Sequence, residues 1–471
     1  MVFSSATFLF IFFPLILILN IVLPSKYRNG VLLFASLFFY AWGEPVFIVL
    51  LLVSIIMNYF CGIGIGKGRE KNKGKSYLAL AVVLNVLMLV IFKYANFLAE
   101  SLSAISGTTN NISNIPLPLG ISFFTFRAIS YLVDAYRDKT LVQKKIFGLA
   151  LYLSFFPQLT AGPIVRYADF KDQIEKRSIT AEQISSGMRR FAIGLCKKVL
   201  IAGMIGAIAD KVFAMDAAGL TTSEAWIGAV AYSLQIYFDF SAYSDMAIGL
   251  SIMFGFNTAE NFNYPYIASS ITDFWKRWHI SLTAWFRNYI YIPLGGNRKG
   301  AFRTYVNIML VFILTGFWHG ADWTFIAWGL FHGLFMVIER ITGLGKEKSK
   351  VRIIGNVYTL IIVIFGFVIF RSENLAQTMG FTAAMFGKFS FRIRDALLQG
   401  SIKSPIFLIT VASAAIACTP VIRMIRNKSK KDLKTAAALD IAGYAISLCL
   451  FALSLLALSM STYNPFIYFR F

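Results

Sequence analysis

The side chains best suited to chemistry in this chain of 471 residues are three histidines, His279, His319 and His332. They are all the histidines that the sequence contains, and six of its eight tryptophans lie with them between positions 274 and 333. Histidine titrates near neutral pH, so it can act as a general base, a proton shuttle or a metal ligand. Ionisable side chains within an apolar chain mark functional sites. We therefore expect the chemistry of this protein in that stretch.

His319 has the surroundings of a catalytic base. It follows the apolar run 311–318 and lies three residues before Asp322, which is suited to cap a helix over residues 323–338. The positive end of that helix disfavours imidazolium, so we predict a neutral ring able to take a proton from a hydroxyl. His332 lies within the same helix, and we interpret it as structural.

His279 lies in an aromatic and basic segment for which the spacing predicts one amphipathic helix over residues 274–289. Such a helix lies at the membrane interface, with its cations toward headgroups. His279 falls on the apolar side, either as a second catalytic residue or as a hydrogen-bonded structural one. Substrate-binding roles are predicted for Asp273, Arg277, Trp278, Trp318 and Gln235. Interhelical hydrogen bonding is the alternative for Gln235, because polar groups in hydrocarbon need partners or a wet cavity.

A metal site is not predicted for this chain. No carboxylate or cysteine joins the histidines at ligand spacing, and the four cysteines are scattered singly in apolar segments. We expect no bound cofactor.

The composition is that of a membrane protein. Mean hydropathy is +0.66, with 57% hydrophobic and 14% charged residues. Recurring apolar runs are long enough to cross about 30 Å of hydrocarbon. We predict an all-α polytopic fold of eleven to twelve transmembrane helices with re-entrant and interfacial helices, in a single domain over residues 1–471.

The net charge of +22 follows the topology. Basic loops at residues 67–75, 346–352 and 423–434 flank apolar runs, as the positive-inside rule requires. The charge therefore indicates anionic lipid as a partner and argues against nucleic acid. It also predicts that both termini lie outside and that the loop at Lys26 lies in the cytosol.

Several local features are predicted along the chain. Residues 43–45, Gly-Glu-Pro, interrupt an apolar run and predict a turn. Two prolines and a glycine over residues 154–163 predict a broken or re-entrant helix. Residues 166–190 are interpreted as a cytosolic surface helix, and residues 371–404 as an outside loop that docks a partner. Residues 436–471 form a last helix with an extracytoplasmic terminal segment.

Taken together, these motifs resemble the membrane-bound O-acyltransferases, in particular the bacterial alginate and peptidoglycan O-acetyltransferase subunits and next the teichoic acid D-alanyl transferases. The likeness spans most of the chain. The matching segments are 118–126 (PLGISFFTF), 155–159 (FFPQL) with 161–163 (AGP), 235–245 (QIYFDFSAYSD), 261–266 (NFNYPY), 273–296, and 318–333 (WHGADWTFIAWGLFHG).

The resemblance implies a ring of helices around a central funnel in the bacterial cell membrane. It implies that His319 is catalytic near the middle of the funnel and that His279 lies toward the cytosol. An acyl group, acetyl from acetyl-CoA, would pass through the funnel to an exported polysaccharide. The partner would be a separate extracytoplasmic SGNH-type (Ser-Asp-His) protein. Trp278 and Trp318 would keep water from the thioester.

The terminal segment 466–471 (FIYFRF) resembles the aromatic-tyrosine motif that D-alanylation systems carry on a separate one-helix protein, where the tyrosine relays the acyl group. This likeness implies a catalytic Tyr468 with His319 as its base. The alternative for the segment is an interfacial aromatic anchor.

Three other functions are weighed against acetyl transfer. One is D-alanyl transfer to teichoic acid from a carrier-protein thioester. Another is transport of a lipid-linked intermediate, although the sequence shows no internal symmetry of the kind transporters carry. A scaffold that only anchors an extracellular transferase leaves the clustering of the histidines unexplained.

Overall fold

The fold is helical throughout the part of the chain that the computed structural model describes. This part comprises residues 1–107, 115–344, 352–387, 389–429, 432–460 and 466. No strand occurs among these residues, and the all-α polytopic class is confirmed. Contacts divide the chain into two compact units, residues 1–191 with 244–259 and residues 192–243 with 260–471.

The first unit contains short and long helices that alternate with tight breaks. They are α1 (Phe13–Val22), α2 (Ser25–Gly43), α3 (Ile48–Glu70), α4 (Gly74–Leu89), α5 (Ala95–Ser106), α6 (Ile121–Arg137), α7 (Ile146–Ser154), α8 (Phe156–Leu159), α9 (Tyr167–Glu175) and most of α10 (Ala181–Cys196). The predicted turn at residues 43–45 is confirmed, because α2 ends at Gly43 and α3 begins at Ile48. The predicted break over residues 154–163 is also found, between α7 and α8 and again after Leu159.

One prediction for the first unit is wrong. Residues 166–190 do not form a single surface helix, because α9 ends at Glu175 and a new helix begins at Ala181. The second helix continues to Phe213 as one long apolar segment suited to crossing a membrane. The mixed charge of its first turns concealed the apolar run that follows.

The second unit carries the histidine-rich stretch. Its helices are α11 (Gly203–Phe213), α12 (Thr222–Met253, up to residue 243), α13 (Ile271–Arg277), α14 (Ile280–Phe286), α15 (Ala301–His319), α16 (Trp323–Thr342), α17 (Arg352–Arg371), α18 (Leu375–Gly387), α19 (Ala396–Lys403), α20 (Pro405–Ala417), α21 (Val421–Ser429) and α22 (Leu433–Met460). The helix predicted over residues 323–338 is confirmed as α16, and the apolar run before His319 belongs to α15.

Seven helices among the described residues are long and apolar enough to cross a membrane, or eight if the bent pair α19 and α20 forms one span. A shorter apolar helix covers Phe8–Val22. This criterion rests on length and composition, so the predicted number of eleven to twelve spans and the funnel remain predictions.

Residues 371–404 are more ordered than the predicted outside loop. Most of them form α18 and α19, and the ring of Phe381 stacks on Phe213 of the same unit, 4.4 Å between centroids. Lys211 and Asp395 form an ion pair beside this contact. The apolar pieces of the segment therefore pack largely inside the second unit, while its role in docking a partner remains a prediction.

Four π-helical segments occur in the described residues, each continuous with an α-helix. They cover Phe8–Phe12, Val90–Tyr94, Lys197–Ala202 and Arg287–Tyr291. A π turn holds an extra residue per turn and is often found at functional sites. The last three of these segments each contain lysine or arginine, at Lys93, Lys197 and Lys198, and Arg287.

Candidate active site

His319 is the last residue of α15 and is only 5% exposed. Asp322 caps the next helix, because its Oδ1 accepts a hydrogen bond from the backbone N–H of Thr324 at 2.8 Å. The predicted cap is therefore confirmed. His319 lies at the negative carboxyl end of α15 and also close to the positive amino end of α16. The two helix ends oppose each other, and neither alone fixes the protonation of the ring.

Two glycines allow α15 and α16 to meet closely around His319. A Cβ built on Gly316 would lie 2.2 Å from the carbonyl oxygen of Phe325. A Cβ built on Gly329 would lie 2.4 Å from the carbonyl oxygen of Phe312. Because both obstacles are backbone atoms, no side-chain rotation can relieve them. Glycine at these two positions thus sets the spacing of the helices that carry His319 and His332.

The rings of Trp318, Trp328 and Phe370 surround the imidazole of His319. Ring centroids lie 5.0 Å away for Trp318 and Trp328, and 5.2 Å away for Phe370, with steep angles between the planes. Such edge-to-face packing restricts the orientation of the imidazole.

His279 adopts a left-handed backbone conformation, with φ of +42°, between α13 and α14. The single amphipathic helix predicted over residues 274–289 is therefore wrong. Asn261 holds this turn, because the backbone N–H of Ile280 donates a hydrogen bond to the backbone carbonyl oxygen of Asn261 at 2.9 Å. Helical spacing alone could not reveal a partner eighteen residues away in the sequence.

The side chain of Asn261 also determines the tautomer of His279. Its Oδ1 accepts hydrogen bonds from the backbone N–H of Ser281 at 3.2 Å and from the Ser281 hydroxyl at 2.9 Å. The same oxygen lies 3.1 Å from Nδ1 of His279. A carbonyl oxygen can only accept, so Nδ1 must carry the proton and Nε2 must carry the lone pair.

Nε2 of His279 is left available by this arrangement. It is buried and has no hydrogen-bond partner within the described part of the chain. Burial lowers the pKa of His279 to about 3, which keeps the ring neutral at physiological pH. A buried nitrogen without a partner is costly, and such an atom is suited to accept a hydrogen bond from a substrate.

Ring contacts connect all three histidines. The ring of Trp318 lies 6.2 Å from that of His279 and 5.0 Å from that of His319. The ring of Trp328 lies 5.0 Å from His319 and 5.2 Å from His332. These are distances between ring centroids.

His332 is packed on several sides. It contacts the ring of Trp275 at 5.1 Å, and a Cβ built on Gly366 would lie 2.4 Å from its Nε2. These contacts support our interpretation of His332 as a structural residue.

His279 and His319 line one cavity of about 210 Å³ in the second unit. The lining is mainly apolar, and it includes two exposed cations, Arg287 and Arg340. The other lining residues are Trp275, Trp278, Leu282, Thr283, Phe286, Tyr291, Ile308, Val311, Phe312, Thr315 and Met336. A cavity of this kind suits a ligand with a slender apolar arm and an anionic end.

The remaining predicted substrate-binding residues are found in different settings. Trp278 lines the cavity, and Trp318 contacts the rings of both His279 and His319 without being part of the lining. Asp273 and Arg277 form an ion pair at 2.9 Å and are not part of the lining. Gln235 packs on α11, since a Cβ built on Gly206 would lie 2.5 Å from its Nε2. Its Oε1 is buried and has no hydrogen-bond partner among the described residues, so this contact is packing between helices and not the hydrogen bond of the alternative.

Sequence reasoning missed Glu339, which anchors the start of α13. Its carboxylate accepts hydrogen bonds from the backbone N–H of Ile271, the backbone N–H of Thr272 at 2.9 Å and the Thr272 hydroxyl at 2.7 Å. It thereby ties α16 to the helix that carries Trp275. Nothing local in the sequence signals this contact, because Thr272 is 67 residues away. Asn261, Arg287 and Arg340 were also missed as site residues.

The terminal segment is described only at Phe466. Tyr468 lies outside the described residues. Phe466 is 4% exposed, and its ring lies 4.6 Å from that of Tyr243 and 6.0 Å from that of Phe240. The Phe240 ring in turn lies 4.6 Å from that of His279. One aromatic ring thus separates this part of the terminal segment from the candidate site.

A metal centre has no counterpart in the described residues, where no group of three or more His, Cys, Asp or Glu side chains is arranged to hold an ion. The cavity lining offers two imidazoles, a mainly apolar surface and two cations. They suit proton transfer at a bound hydroxyl beside an acyl donor.

Comparisons with known proteins agree with this chemistry. A sequence model of the membrane-bound O-acyltransferase family matches residues 34–379. The chain is 41% identical to a probable alginate O-acetylase, AlgI, from Azotobacter vinelandii, with both chains covered completely. It is 33% identical to a peptidoglycan O-acetyltransferase from Helicobacter pylori, over 100% of this chain and 98% of the relative. The chain is also 31% identical to a teichoic acid D-alanyltransferase from Bacillus subtilis. That match covers 54% of this chain and 69% of the length of the relative.

Proposed function

Because the chain belongs to the membrane-bound O-acyltransferase family, we propose that it passes an acetyl group from acetyl-CoA across the cell membrane to an exported polysaccharide. That it is a multi-pass membrane O-acyltransferase follows from the family and from relatives that match its whole length. We propose, in addition, the identity of the donor, the roles of the residues and the kind of partner.

The cavity shared by His279 and His319 is the observation that carries this proposal. Its apolar wall suits the pantetheine arm of a thioester, and Arg287 and Arg340 suit the phosphates at the other end of coenzyme A. In this arrangement the thioester carbonyl lies near the imidazoles, where the tryptophans exclude water and protect it from hydrolysis.

We assign the chemical step to His319 as general base. It takes the proton of an attacking hydroxyl, whose oxygen adds to the thioester carbonyl. The carbon–sulfur bond then breaks, and the proton is returned to the departing thiolate. General base catalysis of this kind contributes about 10²–10⁴-fold to the rate. His279 lines the same cavity and offers Nε2 as a hydrogen-bond acceptor to the hydroxyl or the nascent thiol.

The attacking hydroxyl is assigned to Tyr468. The burial of Phe466 two residues earlier, one ring away from His279, supports a terminal segment that reaches the site. A phenol ordinarily titrates near ~10 and needs a base at neutral pH. The acetyl ester on Tyr468 then passes to the serine of an extracytoplasmic SGNH-type partner, and the phenol is released. Both termini are placed outside in this scheme, with the Lys26 loop in the cytosol.

The test is transfer of labelled acetyl groups from acetyl-CoA to the purified protein in lipid nanodiscs. The wild-type protein is expected to acquire label on the chain. In His319→Ala, the rate of labelling is expected to be about 10²–10⁴-fold lower. Acetylation of the surface polymer in cells with normal levels of the His319→Ala protein provides the second readout. Polymer acetylation at wild-type levels in that strain would overturn the assignment.

D-alanyl transfer from a carrier-protein thioester is the second candidate, favoured by the similarity to the Bacillus subtilis D-alanyltransferase over about half of this chain. The two functions differ in the donor. Incubation with acetyl-CoA or with a D-alanyl carrier protein, followed by mass spectrometry of the trapped chain, separates them by the mass of the attached group.

A further inference from the structure

The first unit contains a second cavity, of about 640 Å³, which the acyl-transfer chemistry does not use. Four of its lining residues are cations, Lys26, Arg28, Lys145 and Arg177, and one is a carboxylate, Glu175. The balance of charge therefore favours an anionic occupant.

Three segments that are far apart in the sequence form this cavity. They are the start of α2, the connection from α6 to α7 with the first part of α7, and the end of α9 with Arg177 just after it. The side chain of Asn29 joins the first to the third, because its Nδ2 donates to the carbonyl oxygen of Ile174 at 2.8 Å and its Oδ1 accepts from Arg177. Gln143 fixes the second segment by donating to the Tyr167 hydroxyl at 2.8 Å. The cations are therefore held on a built framework.

Arg177 is the most constrained of these cations. Its Nε donates to the carbonyl oxygen of Phe254 at 3.0 Å, and its guanidinium lies over the ring of Phe256 at 4.5 Å. Burial, with a smaller contribution from Arg28, lowers the pKa of Arg177 to about 10, so it stays charged at neutral pH. Its Nη2 is buried and has no hydrogen-bond partner among the described residues. Such a donor is costly without an acceptor and suits an oxygen of a bound anion.

Exposed apolar side chains beside the cations indicate where the anion comes from. Phe147, which lines the cavity, is 73% exposed, and Phe34 on α2 is 71% exposed. Aromatic and apolar surface next to fixed cations is typical of the headgroup level of a membrane. Basic pockets between membrane helices bind anionic headgroups.

We propose that this cavity binds the phosphate of an anionic phospholipid. Arg177 and Arg28 contact the phosphate oxygens, Lys26 and Lys145 lie toward the headgroup surface, and the acyl chains run along Phe34 and Phe147. Glu175 accepts a hydrogen bond from a headgroup hydroxyl, which favours a glycerol headgroup over a bare phosphate. The cations of this cavity lie on loops that the positive-inside rule places in the cytosol. The lipid-binding proposal does not depend on the proposed acetyl transfer.

The experiment measures lipid binding by the full-length protein. Purified protein, stripped of lipid in neutral detergent, receives phosphatidylglycerol or phosphatidylcholine, and bound lipid is counted by native mass spectrometry alongside the thermal midpoint. Phosphatidylglycerol is expected to bind and to raise the midpoint, and phosphatidylcholine to do neither. Inorganic phosphate and coenzyme A, added separately, are expected to leave the thermal midpoint unchanged. A rise with either of them equal to the rise with phosphatidylglycerol would contradict a lipid as the occupant.

Two sets of variants test the location. Lys26→Gln with Lys145→Gln removes two exposed cations and is expected to weaken phosphatidylglycerol binding roughly 30-fold. Arg177→Gln should abolish it, although this change also removes contacts within the fold. The control is Lys71→Gln with Lys73→Gln, two exposed cations that do not line the cavity. The proposal is overturned if the Lys26 and Lys145 pair binds phosphatidylglycerol like the control, or if both lipids bind equally.

Discussion

Oδ1 of Asn261 lies 3.1 Å from Nδ1 of His279, and it also accepts two hydrogen bonds from Ser281. The amide oxygen therefore fixes both the turn that carries His279 and the nitrogen that keeps a lone pair. This relationship makes Asn261 a positioning residue, because it acts on the reaction only through the imidazole.

Replacing Asn261 by leucine removes this shared acceptor. We expect a loss of about 1–3 kcal/mol in the free energy of unfolding, because the backbone N–H of Ser281 is left unsatisfied. The rate of label transfer from acetyl-CoA should also fall at temperatures where the variant is still fully folded, because the tautomer of His279 is no longer fixed.

Asn261→Asp restores an acceptor and serves as the matched variant. It should recover stability, and its negative charge should favour protonation of His279, so that the activity profile loses its acid side at higher pH than in wild type. Identical pH profiles for Asn261→Asp and wild type would contradict the positioning role.

Gly329→Ala should separate α15 from α16. The added Cβ meets the carbonyl oxygen of Phe312, and overpacking of this kind costs about 1–3 kcal/mol. Activity should fall with stability, because His319 ends one of the two helices. Gly400→Ala on α19 is the control, as a Cβ there has nothing within 4 Å. If both variants melt at the wild-type temperature, the close approach of the helices is not required.

Glu339→Ala should loosen the start of α13. Two backbone N–H groups lose their acceptor, and each costs about 1–3 kcal/mol when buried. We expect lower thermal stability and a lower kcat. Glu182→Ala removes an exposed carboxylate and should leave both quantities unchanged.

Arg287→Gln and Arg340→Gln test where the anionic end of the donor lies. Each should raise the KM for acetyl-CoA by about tenfold while kcat changes little, because a charge-assisted hydrogen bond contributes about 1.5–3 kcal/mol. Arg303→Gln, an exposed cation outside the cavity lining, is the control. An unchanged KM in both cavity variants would argue that the donor enters elsewhere.

Tyr468→Phe should abolish the acetylated chain while leaving binding of acetyl-CoA intact, because only the attacking oxygen is lost. Mass spectrometry of peptides from trapped wild-type protein checks the position of the acetyl group. Phe466→Ala provides a comparison, since it keeps the phenol but removes the ring that packs on Tyr243. We expect it to slow acetylation without eliminating it. Full polymer acetylation by Tyr468→Phe would falsify the relay.

The sequence predicted those parts of the site that depend on neighbouring residues. The run before His319, the cap at Asp322 and the helix that follows are all local features, and each is confirmed. The clustering of histidine and tryptophan predicted chemistry in this stretch, and the structure joins the three imidazoles there through the rings of Trp318 and Trp328.

Contacts between residues that are far apart in the sequence could not be predicted from local patterns. The spacing over residues 274–289 fits one helix, but Asn261 binds His279 in a left-handed turn and divides it. Glu339 looked like an ordinary charge near a helix end, and only the folded chain brings it to the N–H groups of α13.

The π segment Arg287–Tyr291 bears on how relatives of this chain can differ in length. It joins directly to the end of α14, and its wider turn absorbs one residue more than an α-turn does. A chain with one residue fewer here can close the segment into regular α-helix, with a rotation of about 100° for the side chains that follow. Such a deletion would turn Tyr291, at the end of the segment and in the cavity lining, while His279, which precedes α14, keeps its place. The length of this segment is therefore a way to reshape one wall of the cavity without moving His279.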